Sequence, residues 1–278
     1  MSTDSFFTQG SSHRICQDYA THGNDFAIVS DGCSSAPFSD FGARLLTQAA
    51  IQVMQQGTEL GSNAFYQRVL GMALGYCQSM NLPVDCLFAT LMIAKKIDAQ
   101  IVVTMRGDGV VAAKQNNGTI YYCYLEFPKT SAGSTPFFLR YDLDAQSLNA
   151  YRDNVGNKYK IIESVFDPAA TTTNETHSET ELEIDFSTSN LLRISFETSE
   201  VSSVAIMSDG ALAFMAENNT ITQKQTQQVP ERKIVAEMMD FKGYTGEFAQ
   251  RRCKMAFRKF DKANWKPFDD FAIGVVAS

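Results

Sequence analysis

Short apolar segments joined by polar turns dominate the first half of the chain. The segments richest in β-branched and aromatic residues are 86–96, 99–109, 110–115 and 119–127. Asn117-Gly118, between the last two, is a strong signal for a two-residue hairpin turn. Because links this short cannot hold a crossover helix, we expect neighbouring strands to pair antiparallel. A further apolar strand is predicted over 26–30.

Helical periodicity appears in two pairs of segments, one near each end of the chain. The apolar positions recur every three to four residues in 39–57, 62–80, 231–240 and 246–260. Ser39 or Asp40 can cap the first of these helices, and Gly57 suits its end. Strands therefore outnumber helices and pair locally, which predicts an α+β fold with antiparallel sheet inside and helices outside.

The segment from 128 to 190 has a weaker pattern. PFFLRYDLD and KYKIIESVF are interpreted as strands, whereas DPAATTTNETHSETELE is polar and low in complexity. We interpret that polar stretch as a mobile loop or flap rather than a domain boundary. The prediction is one domain over 1–278 with a variable, flap-like segment around 128–190.

Composition narrows the class of protein. The chain has 278 residues, 44% of them hydrophobic, and a net charge of -7. A negative net charge argues against a nucleic-acid or anionic-membrane partner, since both select basic surfaces. No run of 18 apolar residues and no secretion signal are found, so we expect a cytoplasmic protein. The six cysteines are scattered without a Cys-x-x-Cys pair, which argues against a structural zinc site.

Acidic residues recur at the ends of apolar strands. FAIVSDG and VAIMSDG carry Asp31 and Asp209 just before their final glycine, RGDG contains Asp108, and DDFAIGVV begins at Asp269. Two carboxylates about 4 Å apart repel by about 4 kcal/mol at an effective dielectric of 20. If the fold brings these acids together, hard divalent cations such as Mg²⁺ or Mn²⁺ are the natural counter-charges. The alternative is that each Asp-Gly pair is only a turn.

An ordered set of motifs resembles a known family. CQDYA, FAIVSDGCSS, GARLL, FATLMIA, RGDG, VAIMSDG and DDFAIGVV follow the order seen in metal-dependent serine/threonine protein phosphatases of type 2C. The resemblance runs from about residue 9 to the C-terminus, is weak between 128 and 190, and is closest to a bacterial branch. It implies a four-layer α-β-β-α sandwich, in which helix pairs flank two antiparallel sheets and a metal cleft lies at one edge.

The resemblance also implies roles for individual residues. Asp31 would bridge two Mn²⁺ or Mg²⁺ ions, the carbonyl of Gly32 would bind one of them, and Asp209 and Asp269 would complete the other. A metal-bridging water would then attack phosphorus in line, so no nucleophilic cysteine is required.

Other acids would lie around this pair. Asp18 would bind nearby, directly or through water, and Asp108 would hold a third, weaker ion. Asp270 falls where the family often has asparagine, so Asp269 is the preferred ligand.

Two positions depart from the family pattern. His13 stands where the family commonly has an arginine that grips the substrate phosphate, with Arg14 next to it. Either residue can bind phosphate or donate a proton, and a plain surface role is the alternative for both. Cys33 replaces a histidine that follows Asp-Gly in many members, so the general acid stays unassigned. Cys33 and Cys16 are interpreted as packing residues, with redox sensing as the alternative.

The leading hypothesis is therefore a Mn²⁺- or Mg²⁺-dependent phosphatase of phosphoserine and phosphothreonine in proteins. Phosphorylated proteins would be its partners, in a pathway with a cognate serine/threonine kinase. The rival hypothesis is a catalytically silent relative that binds phosphoproteins or serves as a scaffold.

Overall fold

The computed structural model describes residues 1–130, 133–170, 175–186, 191–220 and 223–278. Within these residues the chain forms five α-helices: α1 (Ser39–Gln55), α2 (Asn63–Ser79), α3 (Ala145–Val155), α4 (Glu231–Met238) and α5 (Phe248–Lys262). None of the described helices has the length and apolarity that a transmembrane span needs.

Strands make up most of the remaining regular structure. In chain order they are β1 (Ser2–Thr8), β2 (Tyr19–His22), β3 (Phe26–Ser30), β4 (Leu91–Ile97), β5 (Gln100–Arg106), β6 (Val110–Gln115), β7 (Ile120–Glu126), β8 (Lys129–Thr130), β9 (Gly133–Ser134), β10 (Lys158–Phe166), β11 (Thr176–Glu183), β12 (Leu192–Glu197), β13 (Val201–Met207), β14 (Phe214–Thr220), β15 (Gln223–Gln228), β16 (Trp265–Pro267) and β17 (Phe271–Ala277).

Two large antiparallel sheets form the centre of the described molecule. One has the order β1-β17-β13-β6-β7-β10-β11 and the other the order β12-β5-β4-β3-β2. The N-terminal strand β1 pairs with the C-terminal strand β17, from Ser2 opposite Ala277 to Thr8 opposite Phe271. This pairing brings the two ends of the chain to the same sheet, so residues far apart in sequence meet at its edges.

Three buried clusters hold the sheets and helices together. The first cluster lies between the sheets and includes Val29, Met92, Val103, Val111, Ile206 and Val276. The second packs α4 and α5 against the seven-stranded sheet, and the third packs α1 and α2 against the five-stranded sheet. The prediction of a mixed fold with antiparallel sheets and flanking helices is confirmed.

The segment 128–190 departs from the sequence interpretation. KYKIIESVF is β10 as expected, but PFFLRYDLD is not a strand, because Leu139–Leu143 form a 3₁₀ helix and Phe137 stacks on Tyr141 at 5.6 Å. Part of the supposed loop is β11, which pairs with β10 although all eight of its residues are exposed.

Strands β10 and β11 pair through polar interactions, which the low-complexity composition of the segment does not indicate. Backbone hydrogen bonds and the ion pairs Lys158–Glu181 and Lys160–Glu179 join the two strands, at 2.6 and 2.5 Å. Cross-strand pairs of opposite charge stabilise a sheet without an apolar face. Residues 171–174 of that predicted loop lie outside the described residues, and the single-domain boundary stays a prediction.

The 86–96 segment begins differently from its prediction. A 3₁₀ helix occupies Val84–Leu87 after Pro83, and β4 starts only at Leu91. Proline fixes its own φ and favours extended backbone before it, which suits a turn at this point.

Candidate active site

A cavity of about 150 Å³ collects most of the acids that follow or precede apolar strands. Its lining residues are His13, Asp31, Gly32, Cys33, Ser34, Asp108, Ser134, Pro136, Phe138, Asp209 and Asp269. The acids come from four separate segments of both large sheets. The sequence prediction that distant aspartates meet is therefore correct for four of them.

The Asp31 turn is fixed by the neighbouring strand connection. Thr90 N–H donates to the Asp31 carbonyl at 2.8 Å, and Asp31 N–H donates to Thr90 Oγ1 at 2.9 Å. A side chain on Gly32 would come within 2.6 Å of the Ser39 carbonyl at the start of α1. Only glycine fits this approach, so β3 ends by presenting the Asp31 carboxylate to the cavity.

Asp209 follows β13 at the start of a short 3₁₀ helix. Ser208 before it is bonded to β17, since its N–H donates to the Ala272 carbonyl at 3.0 Å and its Oγ accepts from Ala272 N–H at 2.9 Å. A side chain on Gly210 would collide with the Asp270 carbonyl. The close approach of these two segments is what brings Asp209 towards Asp269.

Asp108 sits in the tight turn between β5 and β6. The glycines on either side have φ values of 90° and 137°, in a region that side chains disfavour. The two glycines of RGDG therefore allow a turn that directs an acid into the cavity.

The adjacent acids Asp269 and Asp270 have different environments. Asp269 lines the cavity, whereas Asp270 is 1% exposed and accepts hydrogen bonds from Gly10 N–H and Gln17 N–H, both at 2.7 Å. Asp270 thus ties the N-terminal segment to β17. The geometry is in line with the sequence preference for Asp269 as the acid available to a ligand.

Asp18 lies behind the cavity wall. It is 1% exposed, and its Oδ2 atom has no hydrogen-bond partner among the described residues. A buried carboxylate oxygen without a partner is costly unless a ligand or cation compensates it.

Burial is the main electrostatic feature of this cluster. It raises the pKa of Asp31 well above the ordinary value, and the charges of Asp18 and Asp108 raise it further. Burial likewise raises the pKa of Asp209, with Asp31 and Asp269 as the next causes.

The same causes act on the other acids of the cluster. The pKa values of Asp18 and Asp108 are raised by burial first and by the charge of Asp209 next. Burial also raises the pKa of Asp269, which His13 and the N–H of Asp270 partly offset. Among the described residues, the positive charge close to the cavity is too small to balance five carboxylates. An added cation would therefore stabilise their ionised forms.

The donor chemistry fits a hard divalent cation, since every candidate ligand atom is oxygen. Among the described His, Cys, Asp and Glu side chains, no group of three is already arranged to hold a metal ion. The neighbouring charges of Asp18 and Asp108 instead disfavour the ionised form of Asp31 and raise its pKa, after burial as the main cause. The cluster thus has the right donors in one place, and metal binding would require these side chains to rearrange.

Comparison with known proteins identifies the family. The sequence model described as Protein phosphatase 2C matches residues 9–243. The chain belongs to the protein phosphatase 2C family. Its function is that of a metal-dependent protein phosphatase, and the comparisons do not favour the catalytically silent alternative. The match ends before Asp269, so the place of this acid in the cavity rests on the fold. No curated protein sequence matched the chain.

Solved structures of bacterial phosphatases share the fold. The PPM Ser-Thr phosphatase MsPP from Mycobacterium smegmatis, in complex with cacodylate, has 12% identity and a TM-score of 0.51, covering 100% of this chain and 98% of that one. The catalytic domain of the serine/threonine phosphatase PstP with two manganese ions has 10% identity and a TM-score of 0.50, with 98% and 96% covered. A bacterial serine phosphatase has 11% identity and a TM-score of 0.50, with 100% and 97% covered.

The two basic residues considered as phosphate binders of this 2C chain lie in different places. His13 lines the cavity, with Nδ1 at 2.9 Å from Asp270 Oδ2 and 3.5 Å from Asp269 Oδ1. Arg14 is exposed and forms no hydrogen bond or ion pair with the described residues. Sequence reasoning could not choose between them, and the structure brings only His13 into the cavity lining.

The cysteines near this 2C site differ in exposure and chemistry. Cys33 lines the cavity, and its Sγ lies 3.1 Å from Ser35 Oγ. Burial and the nearby acids Asp270 and Asp18 raise the pKa of Cys16 to about 12. A thiol with so high a pKa is a poor nucleophile at neutral pH, which favours the packing interpretation of Cys16.

Sequence reasoning missed the wall of the cavity. Ser134, Pro136 and Phe138 come from the segment with the weakest pattern, and no motif marked them. The nearest sequence signal is the aromatic and proline content of PFFLRYDLD, whose pattern predicts a strand.

Proposed function

We propose that the chain hydrolyses phosphoserine and phosphothreonine in proteins with Mn²⁺ or Mg²⁺ held at the acidic cavity. The observation that carries this proposal is the meeting of Asp31, Asp108, Asp209 and Asp269 around one cavity, with pKa values raised first by burial. A protein has no structural need to bury mutually repelling acids, so a cationic ligand is the simplest account of them.

The assignment of ligands follows the position of each acid. Asp31, the Gly32 carbonyl, Asp209 and Asp269 would hold two ions, with Asp18 supporting Asp31 from behind. Asp108 would hold a third ion more weakly. When bound, the ions would supply Lewis-acid polarisation of the phosphoryl group and activation of a water molecule. The two manganese ions in the PstP structure support the choice of metal.

His13 and Arg14 would act on the substrate. Because His13 Nδ1 faces the carboxylates of Asp269 and Asp270, Nε2 is the ring nitrogen left for a ligand. We assign His13 the delivery of a proton to the leaving alkoxide, which needs an N–H donor at the cavity. The exposed guanidinium of Arg14 would hold the phosphate from the rim, where its fork matches two oxygens.

The finer architecture is also part of the proposal. The arrangement of the three buried clusters supports an α-β-β-α order of layers, with the cavity at one edge of the two sheets. The cytoplasmic location and the kinase pathway stay predictions.

Turnover of p-nitrophenyl phosphate and of a phosphothreonine peptide, each with Mn²⁺, Mg²⁺ or EDTA, tests the function. We expect hydrolysis with metal and none in EDTA. Asp31→Asn should lower the turnover number by about 10³-fold or more, equivalent to ~4 kcal/mol of barrier. Asp25→Asn is the matched control, because the Asp25 side chain is 45% exposed and its carboxylate pairs with Lys95 at 3.6 Å.

Two results would contradict the proposal. Hydrolysis that continues in EDTA, or that survives in Asp31→Asn, would exclude the metal mechanism. Tight binding of the phosphopeptide without turnover in either metal would instead support the catalytically silent alternative.

A further inference from the structure

A second cavity of about 350 Å³ opens beside the acidic cavity. It is lined by the loop 33–37, by Asp85 and Phe88, and by the segment 134–141. The two cavities share the lining residues Cys33, Ser34, Ser134, Pro136 and Phe138. We call the second cavity the apolar groove after its aromatic and proline residues, which lie among serines, a threonine and Asp85. Its volume falls within the ~300–1,000 Å³ range of ligand pockets, and its position makes it continuous with the place where a phosphate would react.

Three aromatic rings line the apolar groove. Phe88 meets Phe138 and Tyr141 edge to face, with ring centroids 6.0 and 5.2 Å apart, and Phe138 stacks on Tyr141 at 6.2 Å. The guanidinium of Arg140 lies over the Phe88 ring at 5.3 Å. Because Arg140 is also paired with Asp85 at 3.0 Å and Asp144 at 2.8 Å, its charge is already matched by the protein.

The segment 134–141 is anchored from below, so the groove is formed before any ligand binds. Asp142 pairs with the fully buried Arg106 at 2.8 Å, and the Arg106 guanidinium lies 4.5 Å from the centroid of Phe137. Tyr141 packs against Tyr151 of α3 at 4.7 Å. A pocket that needs no reordering keeps more of its binding free energy.

The rim of the groove exposes apolar surface that the fold does not require. Ala36 and Pro37 form one side, and Phe38 next to them is 56% exposed with φ of 54°, a left-handed conformation that is unusual for an aromatic residue. Phe41, in the first turn of helix α1 that follows Phe38, is 42% exposed. Exposed aromatic residues and backbone strain both concentrate at binding sites.

We propose that the apolar groove binds one large aliphatic or aromatic side chain of the substrate protein, within a few residues of the phosphorylated serine or threonine. The proposal rests on the proposed function, since the groove gains this meaning from its continuity with the acidic cavity. An extended peptide advances about 3.3–3.6 Å per residue, so a neighbouring side chain can enter the groove while the phosphate enters the acidic cavity. The enzyme would thereby select substrates by an apolar residue beside the phosphorylation site.

Phosphothreonine peptides that differ at one position test this selection. In an alanine background, a leucine or phenylalanine is moved from three residues before to three residues after the phosphothreonine. We expect one position at which leucine or phenylalanine raises kcat/KM about tenfold or more over alanine, as expected for burial of one such side chain. Lysine and glutamate at that position should give no gain, because Asp85 and Arg140 already neutralise each other.

A variant that fills the groove separates its contribution from catalysis. Ala36→Trp places a large ring at the rim, on a loop outside the core, and should bring the ratio of leucine-peptide to alanine-peptide kcat/KM down to about one. Ala169→Trp is the matched control, since Ala169 is an exposed loop residue after β10, and it should keep the preference. Turnover of p-nitrophenyl phosphate, which lacks a peptide, reports the state of the acidic cavity in each variant.

Binding of unphosphorylated peptides in EDTA gives a readout that needs no turnover. The leucine peptide should bind about tenfold more tightly than the alanine peptide, and Ala36→Trp should remove the difference. Equal affinities and equal kcat/KM values at every position, or a preference for lysine or glutamate, would overturn the groove proposal while the phosphatase proposal stands. If no phosphate ester is hydrolysed with either metal, the phosphatase proposal fails and the binding experiment alone decides the groove.

Discussion

Two groups of acids with restricted access to water have opposite surroundings in this protein. Asp4, Asp142 and Asp270 each have a partner supplied by the fold. Asp4 Oδ2 accepts from the N–H groups of Ala249 and Gln250 in the first turn of α5, at 2.6 and 3.2 Å. Asp142 pairs with Arg106, and Asp270 accepts two backbone N–H groups. These acids join distant segments.

The acids of the cavity are surrounded mainly by one another. Asp18, Asp31, Asp108 and Asp209 all have pKa values raised by burial and by neighbouring carboxylates. The comparison teaches that low exposure alone does not mark a functional acid, since Asp18 of the cavity group is 1% exposed and Asp4 and Asp270 of the other group are 3% and 1% exposed. The difference lies in whether the protein itself supplies the compensating positive charge or N–H donors.

The largest expected effect on stability concerns the ion pair of the first group. Asp142→Ala should lower the free energy of unfolding by about 3–5 kcal/mol, because it removes the carboxylate from a fully buried guanidinium. Chemical denaturation measures the change. Replacing both partners by leucine should recover part of the loss, and a loss below that of the exposed control Asp25→Ala would contradict the prediction.

Metal addition should stabilise the protein through the acids of the cavity and not through Asp4, Asp142 or Asp270. Mn²⁺ at 100 times its dissociation constant should add about 2.7 kcal/mol to the free energy of unfolding, seen as a higher melting temperature than in EDTA. Asp209→Asn should lose most of this shift, whereas Asp25→Asn should keep it. An equal shift in wild type and Asp209→Asn would mean that Mn²⁺ binds elsewhere.

Asp4 tests an acid that caps a helix from a distant strand. Asp4→Ala should lower the free energy of unfolding by about 1–2 kcal/mol, because two N–H groups of α5 lose their acceptor. Asp4→Asn should cost less, since its side-chain oxygen can still accept. Thermal or urea unfolding distinguishes the two variants, and equal losses would show that charge rather than acceptance matters.

In metal-free protein, removing an acid from the cavity should stabilise the fold, whereas removing Asp142 or Asp4 should destabilise it. Asp31→Asn should raise the free energy of unfolding in EDTA by on the order of 1 kcal/mol, because it removes one charge from a buried cluster of like charges. Urea unfolding in EDTA at neutral pH measures this. A variant less stable than wild type would show that Asp31 is already compensated by the fold.

The smallest effect concerns Asp144, an exposed acid that caps α3. Hydrogen bonds from Ser147 N–H and from Arg140 lower the pKa of Asp144 from 3.8 to about 2. Because the folded-state pKa is the lower one, its contribution to stability is present above pH ~3.8 and is lost as pH falls through about 2. An NMR titration of the Asp144 carboxyl should show this midpoint, and a midpoint near 3.8 would contradict it.

Much of the fold was predictable because local pattern and tertiary packing agree. The helices from Asn63 and Phe248 follow apolar periodicity, and the β6–β7 hairpin follows Asn117-Gly118. Apolar periodicity did not predict the elements that bury few apolar side chains. Helix α3 has only Tyr151 buried, and β11 has no buried residue, so neither gives an amphipathic signal.

The cavity was predictable in its acids and not in its walls. FAIVSDG and VAIMSDG each place a carboxylate where a buried strand ends, and this pattern is visible in the amino-acid sequence itself. Pro136 and Phe138 reach the cavity only because the segment that carries them is anchored by Arg106 and Tyr151. Such contacts between remote segments leave no mark in local sequence.

The sequence by itself determined that several strands end in acids, because apolar runs followed by Asp-Gly specify a buried strand and a tight turn. Only the tertiary structure decided which of two adjacent acids faces the cavity. Asp269 and Asp270 are neighbours with the same chemistry, and both lie just before β17. Gly10 and Gln17, more than 250 residues away in sequence, take Asp270 with their N–H groups, and Asp269 is thereby left to the cavity.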